Sequence, residues 1–422
     1  MSGSKEEPFI PAHRPTRLNA YVECLGCAPN RADGARVAQI LERNGWTLVE
    51  EPSCAAALVV LTCGFTQQME DANRKRLTKL AATLAKGSRL FVGGCLPSMA
   101  TSPLELPEQT FFFSPMTIES LEGELRSLSM ERPSSNARRL AGPTETRLIR
   151  VSTGCLSHCT FCAIPNAAGQ TKSRCIPEIV SELDLLVQSG AQSFLLTSED
   201  VGAYGLDIGV CYPDLVGALL QNTNAESISI DTLNPRWLRR FLPQTIRFLG
   251  NKRVNPLLYV PIQSGSDKIL QRMARGYTSH DVRYILDCLL RERPDVRLVT
   301  DFIVGFPGET GEDFEATRTL LRDYRSSMQY VEVFKYTERP GTAAVGFVDP
   351  VPEPVRDQRA HVLLADVLET RFRSAGIGTR EDLFSYLSDP RPSLANTNLD
   401  VETYCATHTG SHQDQQLVQL RA

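Results

Sequence analysis

From Arg17 onward, short runs of consecutive apolar residues alternate with longer stretches in which apolar positions recur every three or four residues. The first pattern is that of strands buried in a parallel sheet, the second that of helices packed on it. The runs "RLNAYVECLGC", "ALVVLTC" and "RLFVGGC" read as strands, with "RADGARVAQILERNG" and "QMEDANRKRLTKLAATLAKG" as the helices between them. Residues 17–125 are therefore expected to form a small α/β domain around a parallel sheet. The next segment, 126–145, is rich in Ser, Pro and Arg and reads as a linker. Beyond it come six strand candidates: "TRLIRVST", "QSFLLTSE", "ESISIDT", "PLLYVPIQ", "VRLVTDFIVGF" and "QYVEVFKYT". Amphipathic stretches such as "PEIVSELDLLVQSG", "HDVRYILDCLLRE" and "DFEATRTLLRDY" separate them. Six strand–helix repeats over 146–372 predict an incomplete (β/α)6 barrel, whose lateral opening would admit large substrates. Residues 1–16 read as a flexible polar tail, and 373–422 as a short β-rich segment in which "VETYCAT" and "QQLVQL" look like strands.

Composition narrows the setting. The 42% hydrophobic and 22% charged fractions are those of a globular chain. No apolar run is long enough for a membrane span, and the start "MSGSKEEPFIPAHRP" lacks an apolar signal segment, so a cytoplasmic location without membrane contact is expected. A reducing compartment disfavours a disulfide framework, which leaves the 12 cysteines asking for another role, metal ligation first among them. The net charge of −4 argues against coating of nucleic acid through bulk charge, although a local basic face is compatible with it.

The densest cysteine pattern is "STGCLSHCTFCAIP", with Cys155, Cys159 and Cys162 on one loop directly after the first barrel strand. Thiolates suit zinc and iron–sulfur clusters. A structural zinc site uses four closed ligands, usually in two close pairs, and no matching pair lies nearby. His158 is a candidate fourth zinc ligand, but its neighbour Cys159 competes for the same geometry. Three ligands to a [4Fe–4S] cluster leave one iron open for a substrate or cofactor. A second set of cysteines occupies the smaller domain: Cys27 follows its first strand, Cys63 ends the second and Cys95 ends the third. Sites of open parallel sheets lie at the carboxyl ends of the strands, so these three can converge on one point.

The loop resembles the cluster motif of radical S-adenosylmethionine (SAM) enzymes, and the likeness extends well beyond it. "GCAPNRADGARV", "LVVLTCGF", "FVGGCLP", "LTSEDVGAYG", "YVPIQSGSDKILQRMARGYT", "TDFIVGFPGETGEDF" and "FKYTERPGTAA" follow, in order, the pattern of the radical SAM methylthiotransferases over roughly residues 18–370. "LTSEDVGAYGLDIG" is most similar to the branch acting on threonylcarbamoyladenosine in tRNA. The resemblance implies an enzyme with two [4Fe–4S] clusters. Cys155, Cys159 and Cys162 would hold the one whose open iron is chelated by SAM. Reductive cleavage of SAM then gives a 5′-deoxyadenosyl radical that abstracts hydrogen from the substrate. Cys27, Cys63 and Cys95 would hold an auxiliary cluster that carries or donates the inserted sulfur. A second SAM would supply the methyl group, and an electron-donor protein such as a flavodoxin or ferredoxin the electron. The same resemblance makes tRNA adenosine the leading substrate. It also implies a nucleic-acid-gripping β-barrel module, the TRAM domain, of which the terminal "LDVETYCATHTGSHQDQQLVQLRA" keeps a degenerate trace without basic character. Sulfur insertion, with or without methylation, into a peptide or a small nucleoside-type substrate is the alternative.

Other residues carry weaker signals. Ser198, Glu199 and Asp200 end the second barrel strand, where the superfamily reads the methionyl amino group; the alternative is a helix cap or turn. Gln263 and Ser264 are placed similarly after the fourth strand, as SAM contacts or a polar turn. In "IVGFPGETG" the glycines are expected to let the backbone approach the adenosine of SAM. Cys24, in "CLGC", alternates away from the Cys27 loop along its strand. Cys54, Cys175, Cys211, Cys288 and Cys405 are expected to be ordinary small hydrophobes.

Overall fold

The computed structural model describes residues 18–128 and 146–374. The amino-terminal tail, most of the expected linker and nearly all of the C-terminal segment, with Cys405, lie outside the described residues.

The smaller unit is a five-stranded, wholly parallel sheet of β1 (Asn19–Cys24), β2 (Thr47–Leu48), β3 (Ala57–Thr62), β4 (Arg89–Gly94) and β5 (Phe111–Phe112), in the order β2-β1-β3-β4-β5. Every residue of central β3, "ALVVLT", is buried, as a strand covered on both faces requires. One face packs α1 (Ala28–Arg43), through Val37 and Leu41, onto Ala20, Val59 and Phe91. The other packs α2 (Gln67–Ala81), through Leu77 and Leu80, onto Leu58, Val60 and Val92. The short α3 (Leu96–Met99) follows β4, and α4 (Ser120–Leu128) closes the unit, three residues beyond the boundary read from sequence. The reason is Leu125 and its neighbours: the α4 pattern buries Leu121 and Leu125 against the α1 face and carries the helix on.

The larger unit is a six-stranded parallel sheet of β6 (Arg147–Arg150), β9 (Ser193–Thr197), β10 (Ser227–Ile230), β11 (Val254–Tyr259), β12 (Arg297–Val304) and β13 (Met328–Lys335). Its spatial order follows the chain, as in an incomplete barrel. A small antiparallel pair, β7 (Ser152–Thr153) with β8 (Lys172–Ser173), brackets the three-cysteine loop and α5 (Ile164–Ala168). The connecting helices are α6 (Ile176–Gln188), α7 (Tyr212–Asn222), α8 (Pro235–Arg240), α9 (Leu242–Leu249), α10 (Asp267–Arg272), α11 (Ser279–Glu292), α12 (Gly311–Tyr324) and α13 (Glu353–Ser374). They bury one apolar core against the outer face of the sheet. Capping boxes start α11 at Thr278 with Asp281 and α12 at Thr310 with Asp313.

The two units share a buried seam. Helix α1 lies against β6 at one edge of the open barrel, and α3 against α5. At the other edge Arg339, just past β13, pairs with Glu70 of α2 at 2.7 Å, with both side chains almost wholly buried. Arg339 also donates to the carbonyl of Met99 at 2.8 Å. The smaller unit therefore spans the gap between β6 and β13, and the lateral opening expected from six strands is bridged rather than free. A groove of ≈ 1090 Å³ remains between α2 and the β13–α13 edge, lined by Lys75, Lys79, Phe334, Lys335, Asp357 and His361 among others.

Candidate functional site

Both cysteine trios stand at carboxyl ends of parallel strands. Cys27 is the N-cap of α1, Cys63 follows β3, and Cys95 follows β4 as the N-cap of α3. Cys155 opens the loop after β6 and β7, and Cys159 and Cys162 follow on it. Two of the six are aimed by the glycine before them. Gly94 and Gly154 both sit at φ +88, and a Cβ on either would lie 2.2 Å from a backbone carbonyl oxygen, of Thr62 and Gln170 respectively. Only glycine turns the chain so tightly there.

N–H groups converge on the sulfurs. Ser157 donates its backbone N–H to Cys155 Sγ at 3.4 Å, and Arg275 Nη1 donates to Cys159 Sγ at 3.1 Å. Backbone N–H groups of Asn30, Phe65 and Ile164 likewise serve Cys27, Cys63 and Cys162. Cys27 is exposed as a residue and the other five are half-buried, while the sulfur atoms of Cys27, Cys63, Cys95, Cys155 and Cys162 are themselves buried in protein. This burial pushes the thiol of Cys155 up to about 12 and raises Cys27, Cys63, Cys95 and Cys162 as well. The thiols of Cys63 and Cys27 add to the shift on Cys95, which places the trio in one electrostatic neighbourhood. Without a cation these sulfurs keep their protons; metal ligation removes them.

Among the described residues no three His, Cys, Asp or Glu side chains close around a single ion. His158 joins no such group with the cysteines beside it, which leaves the zinc alternative without its fourth ligand. A cluster, by contrast, gives each cysteine its own iron, tolerates a wider trio, and is tuned by N–H groups aimed at sulfur. The donor chemistry of both trios fits such a group.

Between the trios lies a buried triad of charges. Arg150, at the end of β6, is only 7% exposed. Its Nη2 donates to Glu199 Oε1 at 2.5 Å, and its Nε stands 3.5 Å from Asp33 Oδ1 on α1. Glu199 Oε2 in turn accepts from the backbone N–H of Gly154 at 2.9 Å, next to Cys155. Burial pushes the Asp33 carboxyl up to about 7 despite Arg150.

The remaining expected contacts are distributed as follows. Asp200 accepts from Trp237 Nε1 at 2.9 Å and from the Asn234 N–H at 3.4 Å, so it ties β9 to α8. Ser198 Oγ accepts from the Asp200 N–H at 3.1 Å. Ser264, wholly buried, lies 3.3 Å from Thr317 Oγ1 and fastens the turn after β11 to α12. Gln263 adopts φ 72, rare for a residue with a side chain, and its buried Oε1 has no partner. It adjoins Asp301, whose strand neighbour by register is Glu332; Asp301 Oδ1 and Glu332 Oε1 also lack partners. In the glycine-rich turn, a Cβ on Gly305 would lie 2.1 Å from Arg356 Cγ of α13, so glycine there also admits a protein side chain. Cys24 packs into the α1 side of the smaller core, away from Cys27.

The chain matches the Uncharacterized protein family UPF0004 over residues 19–112 and the Radical SAM superfamily over 149–321. It is 31% identical over 361 residues to a tRNA-2-methylthio-N(6)-dimethylallyladenosine synthase of Ehrlichia chaffeensis, covering 80% of each chain. It is also 31% identical over 341 residues to a probable threonylcarbamoyladenosine tRNA methylthiotransferase of Pyrococcus horikoshii, covering 78% of this chain and 79% of that one. This chain is a radical SAM methylthiotransferase.

Membership makes it an enzyme and brings SAM and a [4Fe–4S] cluster as cofactors. The fold agrees with TsrM, a radical SAM methyltransferase from Kitasatospora setae solved with tryptophan and a SAM analogue: TM-score 0.58 at 14% identity, covering 78% of this chain and 75% of that chain. Within this methylthiotransferase the sequence reading missed Asp33, Arg150, Arg275 and Arg339, which surround the cysteines. The only local signal was for Arg150, a charge at the end of a barrel strand four residues before Gly154. Among the described residues no helix is long and apolar enough to cross a membrane.

Proposed function

We propose that this methylthiotransferase holds two [4Fe–4S] clusters and forms a C–S bond at an unactivated carbon, with tRNA adenosine as its leading substrate. One observation carries the reading: two trios of cysteines, each at the carboxyl end of a parallel sheet, are joined by the buried Asp33–Arg150–Glu199 triad. Cys155, Cys159 and Cys162 would hold the cluster that takes SAM, and Cys27, Cys63 and Cys95 the auxiliary one. When bound, these groups supply one-electron cleavage of SAM and the sulfur to be inserted.

The chain's own residues do the rest. Gly94 and Gly154 present Cys95 and Cys155, and the N–H groups on the sulfurs favour the thiolate forms that ligation needs. Arg275, donating to Cys159 and to the carbonyl of Pro261 at 2.8 Å, fixes the loop against the mouth of the barrel. The seam through Arg339 and Glu70 excludes water between the units. Gln263, with its strained backbone and free carbonyl oxygen, is the best placed of the expected SAM-side contacts; Ser198, Glu199, Asp200 and Ser264 act by shaping the strand ends around it. Support for tRNA adenosine comes from the names of these two relatives, each of which names a modified adenosine of tRNA. A reducing cytoplasm with a flavodoxin- or ferredoxin-type donor suits this chemistry.

Anaerobic reconstitution with iron and sulfide tests the chemistry, and mass spectrometry of tRNA nucleosides tests the substrate. The expected results are two clusters per chain, 5′-deoxyadenosine on reduction with SAM, and methylthio-adenosine that disappears from cells lacking the protein. An unchanged methylthio-adenosine level would transfer the same chemistry to a peptide or small-molecule substrate.

A further inference from the structure

Arginine carries five N–H donors in a rigid fork, and a buried guanidinium that leaves some unpaired is costly. In Arg150 one nitrogen, Nη2, is satisfied by Glu199, while Nε and Nη1 are buried without a hydrogen-bond partner. Asp33 does not supply the missing acceptor, because 3.5 Å is an ion-pair contact and not a hydrogen bond. The backbone holds the group firmly: β6 is hydrogen-bonded to β9, the Arg150 carbonyl accepts from Arg174 Nη1 at 2.9 Å, and α1 packs over the strand. An acceptor that is not part of the described chain must therefore complete Arg150.

Its surroundings say what kind of acceptor. Helix α1 places Cys27 at its N-cap and Asp33 beside Arg150. Both Cys27 and Cys95 lie close enough to feel the guanidinium charge. Beyond Asp33 and Glu199, the groups that the guanidinium charge reaches are cysteines of the smaller domain, and three cysteines bring a cluster whose sulfides are anionic. Resting on the two-cluster reading, we propose that Arg150 donates its unpaired N–H groups to sulfur at the auxiliary cluster and sets that cluster's reduction potential. It is a positioning residue. Its second tie, through Glu199 to the Gly154 N–H, makes the same guanidinium the mechanical link to the SAM-binding loop.

The test uses the full chain with C155A/C159A/C162A, so that a cluster forms only on the smaller domain, reconstituted anaerobically and titrated with dithionite. Arg150→Met in this background is expected to shift the midpoint potential negative, because a lost cation and lost N–H···S bonds disfavour the added electron. Arg150→Lys, which keeps the charge, is expected to recover part of the shift. Asp33→Asn, which removes the carboxylate paired with Arg150 and leaves the guanidinium itself in place, is expected to shift the midpoint positive and serves if the Met variant does not fold. A merely structural arginine would change thermal stability and leave the potential alone. Unchanged midpoints in variants that hold their cluster overturn the proposal while leaving two clusters standing. A C155A/C159A/C162A chain that takes up no cluster overturns the two-cluster reading and this inference together.

Discussion

Gly94 and Gly154 each do for one trio what the other does for the second. Substituting alanine places a Cβ against a carbonyl oxygen at a backbone angle that alanine resists, at a cost above about 1 kcal/mol. G94A and G154A are each expected to lose roughly half the iron of the reconstituted protein, one from each site, as read by iron content and by SAM cleavage, which only G154A should abolish. The dipeptide Gly-Cys, repeated at 26–27, 94–95 and 154–155, was visible in the sequence. Its geometry was not, because a positive φ shows itself only when the neighbouring carbonyl is placed. Glu332 is a second residue whose environment was invisible. Burial first, and then the charge of Asp301, holds its carboxyl up to about 8. Between its ordinary value of 4.5 and about 8 the folded chain keeps a proton that the unfolded chain has released, so stability falls as pH rises through that window. Glu332→Gln removes this slope. Denaturation at pH 5 to 8 is expected to show wild type losing up to about 1.4 kcal/mol per pH unit that the variant keeps.

Elements were the most legible scale. The buried runs at 57–62 and 297–304 and the helical spacing of 28–43 and 311–324 are written in apolar positions, and the sheets adopt them. The start of α12 is fixed by a reciprocal pair: Thr310 accepts from the Asp313 N–H, and Asp313 returns the bond to the Thr310 N–H. T310A is expected to cost about 1 kcal/mol in urea denaturation, with cluster content unchanged. What was hidden is where an element's ends go. Asp200 was legible as the end of a barrel strand, but its bond to the indole of Trp237, 37 positions on, was not. No periodicity announces a contact made across such a loop. The neighbour of Gly305 was hidden for the same reason, since the side chain filling the space beside it comes from α13.

At the scale of the whole molecule, the division into two units was readable from the Ser-, Pro- and Arg-rich stretch between them, and their docking was not. It depends on Glu70, a first-turn acid of α2 that is wholly buried and accepts from Arg74, Arg339 and Thr101. Removing one member of a buried pair strands the other. R339M is expected to lower stability by about 3 kcal/mol and to split one thermal transition into two, which calorimetry would resolve. A single transition at the wild-type temperature would show that the units are held by apolar contact alone.

The bridged gap has a consequence for the groove left beside it. With charge pairs clamping both rims, the smaller unit acts as a fixed roof and not as a hinged lid. The groove beside α2 and α13 is lined by side chains of both units, Lys75 and Lys79 from one and Lys335 and Asp357 from the other, and by none of the six cysteines, so the clamp that holds the cysteine trios in place also fixes its width.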